Sequence, residues 1–443
     1  MPWKVSRVAL PISALLAGVV VLTVGPAQAT PGRSGQLDTT FGKRGQVITG
    51  LSSGFGARAV AIQPDGKIIA AGSGDGGFML IRYKRNGSLD LRFGSKGRVR
   101  TAFRQGQVWS LALQRDGKII AAGYSSSRDT DYFTLARYRS NGSLDRSFGS
   151  EGQVRTPGGS ASAVALQPDG RIVAAGSFVH YDSGQLQIAF RVARYMSNGT
   201  PDPSFGSGGS VTTPTGGDAH ALALQPDGKI IVAGGSHEGS QSLFALVRYE
   251  KNGALDPGFG AGGIVTTGFR SLDGATAVLL QGDGKIVVVG AGGTQRSGFA
   301  LARFTPNGSL DSSFGSGGKV RTNFGSGSAV PTAAALQRDR KIVVVGWMFK
   351  YPRWDFALAR YGANGSLDPS FGTGGKVTTS FRKLARTPRN RSHQDTARAV
   401  AIQRDGRIVV AGTGEVPPVF SRASSRYKFE LARYIGDTSE GRH

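Results

Sequence analysis

The 443-residue sequence contains no cysteine, and only 5 histidines, 4 methionines and 4 tryptophans. Without cysteine there is no disulfide scaffold, no thiolate metal site, no cysteine nucleophile and no lipid-modified N-terminal cysteine. The histidines are His180, His220, His237, His393 and His443. None stands in H-x-x-x-H or H-E-x-x-H spacing, and no G-x-S-x-G elbow precedes a helix. No stretch of the required 11–18 residues carries the 3.6-residue apolar period of a helix. Acidic residues are scarce, 29 Asp and Glu against 54 Lys and Arg, which gives a formal charge of +25. No repeat holds the several clustered acids of a calcium loop. No metal, cofactor or catalytic residue is therefore expected, and the basic balance favours anionic partners or surfaces.

Glycine is abundant, 68 residues, roughly twice ordinary usage, so tight turns must be frequent. The first 29 residues read as an export signal. Lys4 and Arg7 form a basic start, Val8 to Val24 is apolar and uncharged, and Ala27-Gln28-Ala29 is a small-x-small cleavage site. Residues 30–36 then form a short linker and 435–443 a disordered tail, with no later stretch able to span a bilayer.

Between them the chain repeats itself. The phrase L-D-x-x-F-G recurs at Asp38, Asp90, Asp145, Asp256, Asp311 and Asp368, with Pro201-Asp202 as a variant, 52 to 57 residues apart. A second phrase, A-x-Q-x-D-G-K/R-I, centres on Asp65, Asp116, Asp169, Asp227, Asp283, Asp339 and Asp405, with Arg340 replacing the glycine once. A third, F-x-L-x-R-Y, ends at Arg82, Arg137, Arg194, Arg248, Arg303, Arg360 and Arg433. Each unit contains four short strand patterns, two of them joined by Asp-Gly and Asn-Gly hairpin signals. Four antiparallel strands repeated at this period predict an all-β fold, a single seven-bladed β-propeller over residues 37–434. The chain opens on a fourth-strand phrase and ends on a third-strand phrase, so an N-terminal outer strand is expected to close the ring and cover its open edge.

Taken together, G-x-L-D-x-x-F-G-x-x-G-x-V-x-T, A-V-A-x-Q-x-D-G-K-I-V-V-A-G and F-A-L-A-R-Y resemble the delta-60 repeat family. The match runs over essentially residues 35 to 434. The resemblance implies a bacterial exported β-propeller and transfers no catalytic residue.

A feature present seven times serves the blade; a single ligand site needs singular residues. The repeated Asp and Arg are expected to pair within or between blades, with the Phe filling the gap between sheets. The x-D-G-K aspartates are expected to form turns, and the Asn-Gly-Ser/Thr triplets at Asn86, Asn141, Asn198, Asn307 and Asn364 to serve turns rather than glycans. Singular residues lie in the long connections of one face. Ser177 to Ala189 carries Phe178 and Tyr181. Trp347 to Asp355 carries Trp347, Phe349, Tyr351 and Trp354, a stacking platform for a sugar or an anchor for a protein. Phe381 to Ala397 carries Arg382, Lys383, Arg386, Arg389 and Arg391 against one acid, Asp395, a candidate anion site. The expected molecule is a monomeric, secreted or wall-associated binding module for an anionic polymer, glycan or protein. Nucleic acid is not favoured, and an enzyme at the central channel or a structural wall protein are the alternatives.

Overall fold

The computed structural model describes residues 33–51, 54–128, 130–182, 185–238, 241–271, 274–293, 296–385, 393–416 and 426–437. The export signal expected at 1–29 lies outside them.

The order of elements follows the repeated phrases. The chain enters through β1 (Gln46–Gly50), and the first complete unit is β2 (Gly56–Ile62), β3 (Ile68–Gly74), β4 (Gly77–Tyr83) and β5 (Arg98–Thr101). Next come β6 (Gln105–Leu113), β7 (Ile119–Ser127), β8 (Thr130–Tyr138) and β9 (Gln153–Pro157). The third unit is β10 (Ser160–Leu166), β11 (Ile172–Asp182), β12 (Gln185–Tyr195) and β13 (Ser210–Thr213). The fourth is β14 (Ala219–Leu224), β15 (Ile230–Glu238), β16 (Gln241–Tyr249) and β17 (Ile264–Ser271). Then follow β18 (Ala275–Leu280), β19 (Ile286–Gly292), β20 (Gly298–Phe304) and β21 (Lys319–Thr322). After them come β22 (Ser328–Leu336), β23 (Ile342–Lys350), β24 (Arg353–Tyr361) and β25 (Lys376–Thr379). A single helical turn, α1 (Arg382–Ala385), precedes β26 (His393–Ile402), β27 (Ile408–Val416) and β28 (Arg426–Tyr434).

The first five complete units each form a four-stranded antiparallel sheet. The remaining strands share an eight-stranded sheet, in which β24 meets β26 through a short parallel bridge at Arg353 and Trp354. There β1 lies antiparallel to β28, with Ile48 opposite Glu430. The first strands of successive units, β2, β6, β10, β14, β18, β22 and β26, pack each on the next, and β26 packs on β2. Sheets arranged radially in this closed circle make a β-propeller.

This arrangement explains the nearly continuous apolar second strands. β3 and β19 are buried along their whole length, because each sheet is covered by a neighbour on both faces. The core is accordingly a set of layers between sheets. Ile69, Ala71, Phe78 and Leu80 of one sheet meet Val108, Ile119, Ala121 and Ala136 of the next. Each fully buried Ile or Leu contributes roughly 1.5–3 kcal/mol. The fourth strands are the most exposed, as in β5, which suits their polar sequence.

The outer rim carries the repeated charges. Arg137 Nε lies 2.8 Å from Asp145 Oδ2, its Nη1 donates to the Ser197 carbonyl of the next unit at 2.5 Å, and its guanidinium sits 4.7 Å from the Phe148 ring centre. The same Arg–Asp–Phe arrangement recurs at Arg82, Arg194, Arg248, Arg303, Arg360 and Arg433. Arg433 finds its Asp38 and Phe41 at the other end of the chain, 2.9 and 4.7 Å away. The expected pairing is thus present within each unit, and the Arg also ties most units to their neighbour. The chain stays anchored past 434: Ile435 N–H donates to the Gln36 carbonyl at 2.8 Å, and the Asp437 carboxylate meets Arg360 at 2.9 Å.

Turn chemistry also follows the sequence. Asp65 Oδ1 accepts from Lys67 N–H at 3.0 Å, and Asn86 Oδ1 accepts from Ser88 N–H at 3.1 Å. Gly66 takes φ 79°, whereas Arg340 at the same place in its unit is forced to φ 66°.

Candidate binding site in the central channel

Each first strand carries the pattern small-x-small before its apolar run: Ala57-Arg58-Ala59, Val108-Trp109-Ser110, Ala161-Ser162-Ala163, Ala219-His220-Ala221, Ala275-Thr276-Ala277, Pro331-Thr332-Ala333 and Ala397-Arg398-Ala399. In every one the register with the second strand slips by one at the middle residue, a β-bulge. A bulge leaves its extra residue out of the ladder and re-aims its side chain. Here all seven re-aimed residues line one cavity of about 420 Å³. Flanking residues such as Ala57 and Ala161 stay fully buried between sheets.

Seven different approaches to the axis therefore end in seven chosen side chains: two arginines, one tryptophan, one histidine, one serine and two threonines. Ser160, Ser177 and Asp218 complete the polar lining. Ser160 opens β10 and Ser177 lies where β11 leaves its pairing with β10. This places the cavity at the end of the channel that carries the long second-to-third-strand hairpins.

Arg58 and Arg398, on β2 and β26, which pack on each other, bring two positive charges to the cavity against the single acid Asp218. Burial pushes Arg398 down to about 10, and Arg58 beside it adds repulsion in the same direction. Burial also lowers Arg58. The Nε atoms of both are buried without a hydrogen-bond partner, and neither is in an ion pair among the described residues. Two partly desolvated guanidiniums side by side cost free energy that an anion within reach of both would offset. The threonines add acceptors. Thr332 Oγ1 donates to the Ala397 carbonyl at 2.9 Å and Thr276 Oγ1 to the Pro331 carbonyl at 3.3 Å, so their protons are engaged and their lone pairs remain. Trp109 is held by Nε1 donating to Gln107 Oε1 at 2.9 Å and by Tyr124, 5.4 Å between ring centres.

The residues singled out from the sequence lie away from this cavity. Trp347, Phe349, Tyr351 and Trp354 are not in an irregular loop: they belong to the β23–β24 hairpin, which extends in register out to Lys350 and Arg353. Its inner aromatics pack on each other, Trp347 on Trp354 at 4.3 Å and 23°, and Phe349 on Trp354 at 5.5 Å. Tyr351 at the tip is 86% exposed. Phe178 lies on the β11–β12 hairpin beneath the Arg191 guanidinium, 4.0 Å from its ring centre, and the side chain of Tyr181 lies outside the described residues. Arg382 and Lys383 open α1, a short helix where none was expected. Arg386, Arg389 and Arg391 lie outside the described residues.

The channel residues escaped the sequence reading because, apart from Arg58 and Arg398 in two copies of A-R-A-V-A-I-Q and the pair Thr276 and Thr332, their side chains differ from unit to unit. The available signal was the reverse of a motif: one variable position inside an otherwise constant phrase.

Six segments of the chain, residues 63–93, 114–148, 167–205, 225–259, 281–314 and 337–371, match the family described as "Domain of unknown function (DUF5122) beta-propeller". The remaining set of phrases is divided between the chain ends, at Asp38 and at Asp405 to Arg433, so no continuous segment presents it. No curated protein matches the sequence. Among solved structures, virginiamycin B lyase from Staphylococcus aureus aligns at 11% identity over 87% of this chain and 98% of its own, TM-score 0.48. An ulvan lyase bound to -[GlcA(1-4)Rha3S]- aligns at 13% identity over 87% of this chain and 95% of its own, TM-score 0.46. Sqt1 from Chaetomium thermophilum aligns at 10% identity over 88% of this chain and 100% of its own, TM-score 0.46. Likeness at this level assigns no activity. These six segments are similar to a β-propeller repeat family.

Proposed function

We propose that this protein is an exported seven-bladed β-propeller, closed by its N-terminal outer strand, that binds acidic chains at the mouth of its central channel. In this reading the eight-stranded sheet is two blades sharing an edge bridge. The observation that carries the reading is the pair Arg58 and Arg398, half-buried, adjacent and in no ion pair among the described residues, in a cavity otherwise lined by hydroxyls, Trp109, His220 and one acid, Asp218. Two forked donors, hydroxyl acceptors and an aromatic face are the groups that recognise a carboxylated or sulfated sugar. The net positive charge of the chain supports capture of a polyanion from a distance. The hairpin tip at Tyr351 and the basic segment from Arg382 would then guide the chain toward the channel.

The test is retention on polygalacturonate and on dextran sulfate, with neutral dextran as control, for the wild type and the double variant Arg58→Gln/Arg398→Gln. We expect tenfold or greater weakening in the double variant and a smaller loss in Arg382→Gln/Lys383→Gln. Unchanged binding in the channel variant would sink the proposal. A second reading, elimination from an acidic sugar, is favoured by Asp218 and His220 lining the same cavity as the arginines. It requires an ultraviolet-absorbing unsaturated product, lost in His220→Ala.

A further inference from the structure

A second singular cluster lies in the last unit, where side chains of β26 and β28 come together across β27. His393 and Asp395 come from the start of β26, and Glu430 comes from β28, the strand that pairs with β1. They are 3%, 0% and 0% exposed. At the position of Glu430 in the F-x-L-x-R-Y phrase the other units carry Met79, Thr134, Arg191, Ala245, Ala300 and Ala357. None of these is acidic, so the blade itself does not require an acid there.

Burying two carboxyls and an imidazole costs several kcal/mol unless each finds partners. Here the partners come mostly from within the cluster itself. Both Glu430 oxygens, both His393 nitrogens and Asp395 Oδ1 are buried without a hydrogen bond to the rest of the chain. His393 Nδ1 and Asp395 Oδ1 touch as an ion pair. Asp395 is itself oriented from behind: its Oδ2 accepts from Phe381 N–H at 2.7 Å, with the Ser380 hydroxyl at 3.4 Å, which leaves Oδ1 turned toward the cluster. Glu430 lies across β27, and room for it exists only because residue 414 is glycine; a Cβ there would sit 2.1 Å from Glu430 Oε1. One donor atom from each residue lies within 4.8 Å of the others. Burial and the adjacent Asp395 push the Glu430 carboxyl well above its usual range. Asp355 on β24 faces the same region, raised by burial and by Asp395, and Lys428 is the nearby cation acting on Glu430.

We propose that His393, Asp395 and Glu430 form a binding site for one first-row divalent cation of the Zn²⁺ or Mn²⁺ type. One imidazole and two carboxylates, with ligand distances of about 2.0–2.2 Å, match the donor sets these ions accept. Ca²⁺ is disfavoured, because it takes six to eight oxygens and three donors leave too many to solvent in a buried site. The oriented Asp395 carboxylate is the kind of preset ligand that raises affinity. The cation would join β26 to β28, and through β28 to β1, so it would staple the seam where the two chain ends meet. This places a structural ion where the proposed ring has its weakest covalent continuity.

The test uses the full chain, stripped with chelator and dialysed. Zn²⁺ alone and Mn²⁺ alone are titrated by calorimetry, and bound metal is counted by mass spectrometry. Wild type should bind one equivalent of at least one of the two ions. Its melting temperature should rise by roughly 2–6 °C at saturating metal. Glu430→Gln and His393→Gln should weaken that binding at least tenfold while retaining the wild-type strand signal in circular dichroism. His237→Ala, a histidine outside the cluster, should bind as wild type does. Absence of stoichiometric binding to either ion overturns the proposal, as does equal binding by Glu430→Gln. A third result also overturns it: Glu430→Gln raises the melting temperature of stripped protein while wild type ignores metal. Glu430 and Asp395 would then be two carboxyls sharing a proton.

Discussion

The rim and the channel of this propeller use the same residue, arginine, in opposite ways. At the rim Arg137 has Asp145, a neighbouring carbonyl and the face of Phe148, and the arrangement recurs in every unit. In the channel Arg58 and Arg398 are in no ion pair among the described residues, and Arg58 acts on Arg398 as a like charge. A guanidinium paired with an acid of its own unit is part of the scaffold. One left desolvated and unpaired is held ready for something that is not part of the chain. The repeat makes this contrast readable, because each rim arginine has six internal controls and each channel arginine occupies a position filled differently in most units.

The largest way to break the rim is acid. Burial alone would raise the rim carboxyls. Hydrogen bonds from Lys229, Gly258 N–H and Arg248 instead bring Asp256 down to about 2, and Asp38, Asp90, Asp145, Asp202, Asp311 and Asp368 are also lowered. A carboxyl depressed in the folded state contributes stability that is present above its unfolded value near 3.9 and is lost as pH falls through the folded one. The melting temperature should therefore be flat with respect to these groups above about pH 5 and fall steeply between about pH 4 and pH 2. A melting temperature still level at pH 2.5 would show that the rim pairs do not hold the blades.

The next largest effect is Arg137→Ala. It leaves Asp145 buried without its countercharge and removes the tie to Ser197, at a cost of about 3–5 kcal/mol. The measurement is the chemical denaturation midpoint; a loss below about 1 kcal/mol would demote the rim pair to a surface contact.

Legibility in the sequence divides along the same line. The four strands of each unit, the Asp-Gly and Asn-Gly turns and the Arg–Asp pairing were all readable, because seven copies average away the accidents of any one. Lys67 to Gly72 reads as a strand buried on both faces, and the strand is there, over Ile68–Gly74. The aromatic segment at Trp347 was misread as a loop because strand pairing out to Arg353 depends on a partner strand, not on local propensity. The channel was illegible for a different reason. Arg58, Trp109, His220 and Arg398 are separated by up to 340 positions in sequence and brought together only by closure of the circle. The cluster at His393 and Glu430 was hidden likewise, since its members lie on different strands, 37 positions apart.

A smaller effect tests whether the repeat pattern carries energy position by position. Arg340 occupies the glycine place of the x-D-G-K turn at φ 66°, and its side chain is exposed. The left-handed conformation costs a non-glycine residue roughly 1–2 kcal/mol, offset in part by the greater entropy a glycine loses on folding. Arg340→Gly should raise stability by about 0.5–1 kcal/mol in the same denaturation assay. A decrease would mean that the arginine side chain makes a contact worth more than the strain.

The smallest expected change in stability is also the sharpest test of the contrast. Arg58→Gln/Arg398→Gln removes two charges that repel one another across buried space and that satisfy no acid. Glutamine keeps a polar tip for the cavity, so the loss in packing is small and the relief of repulsion offsets it. The denaturation midpoint should move by no more than about 0.5 kcal/mol in either direction. Retention on polygalacturonate should fall at least tenfold in the same preparation. A rim variant gives the converse, a destabilised protein whose folded fraction still binds. If the channel variant instead loses several kcal/mol, its arginines are structural like those of the rim, and the distinction between satisfied and waiting guanidiniums fails for this protein.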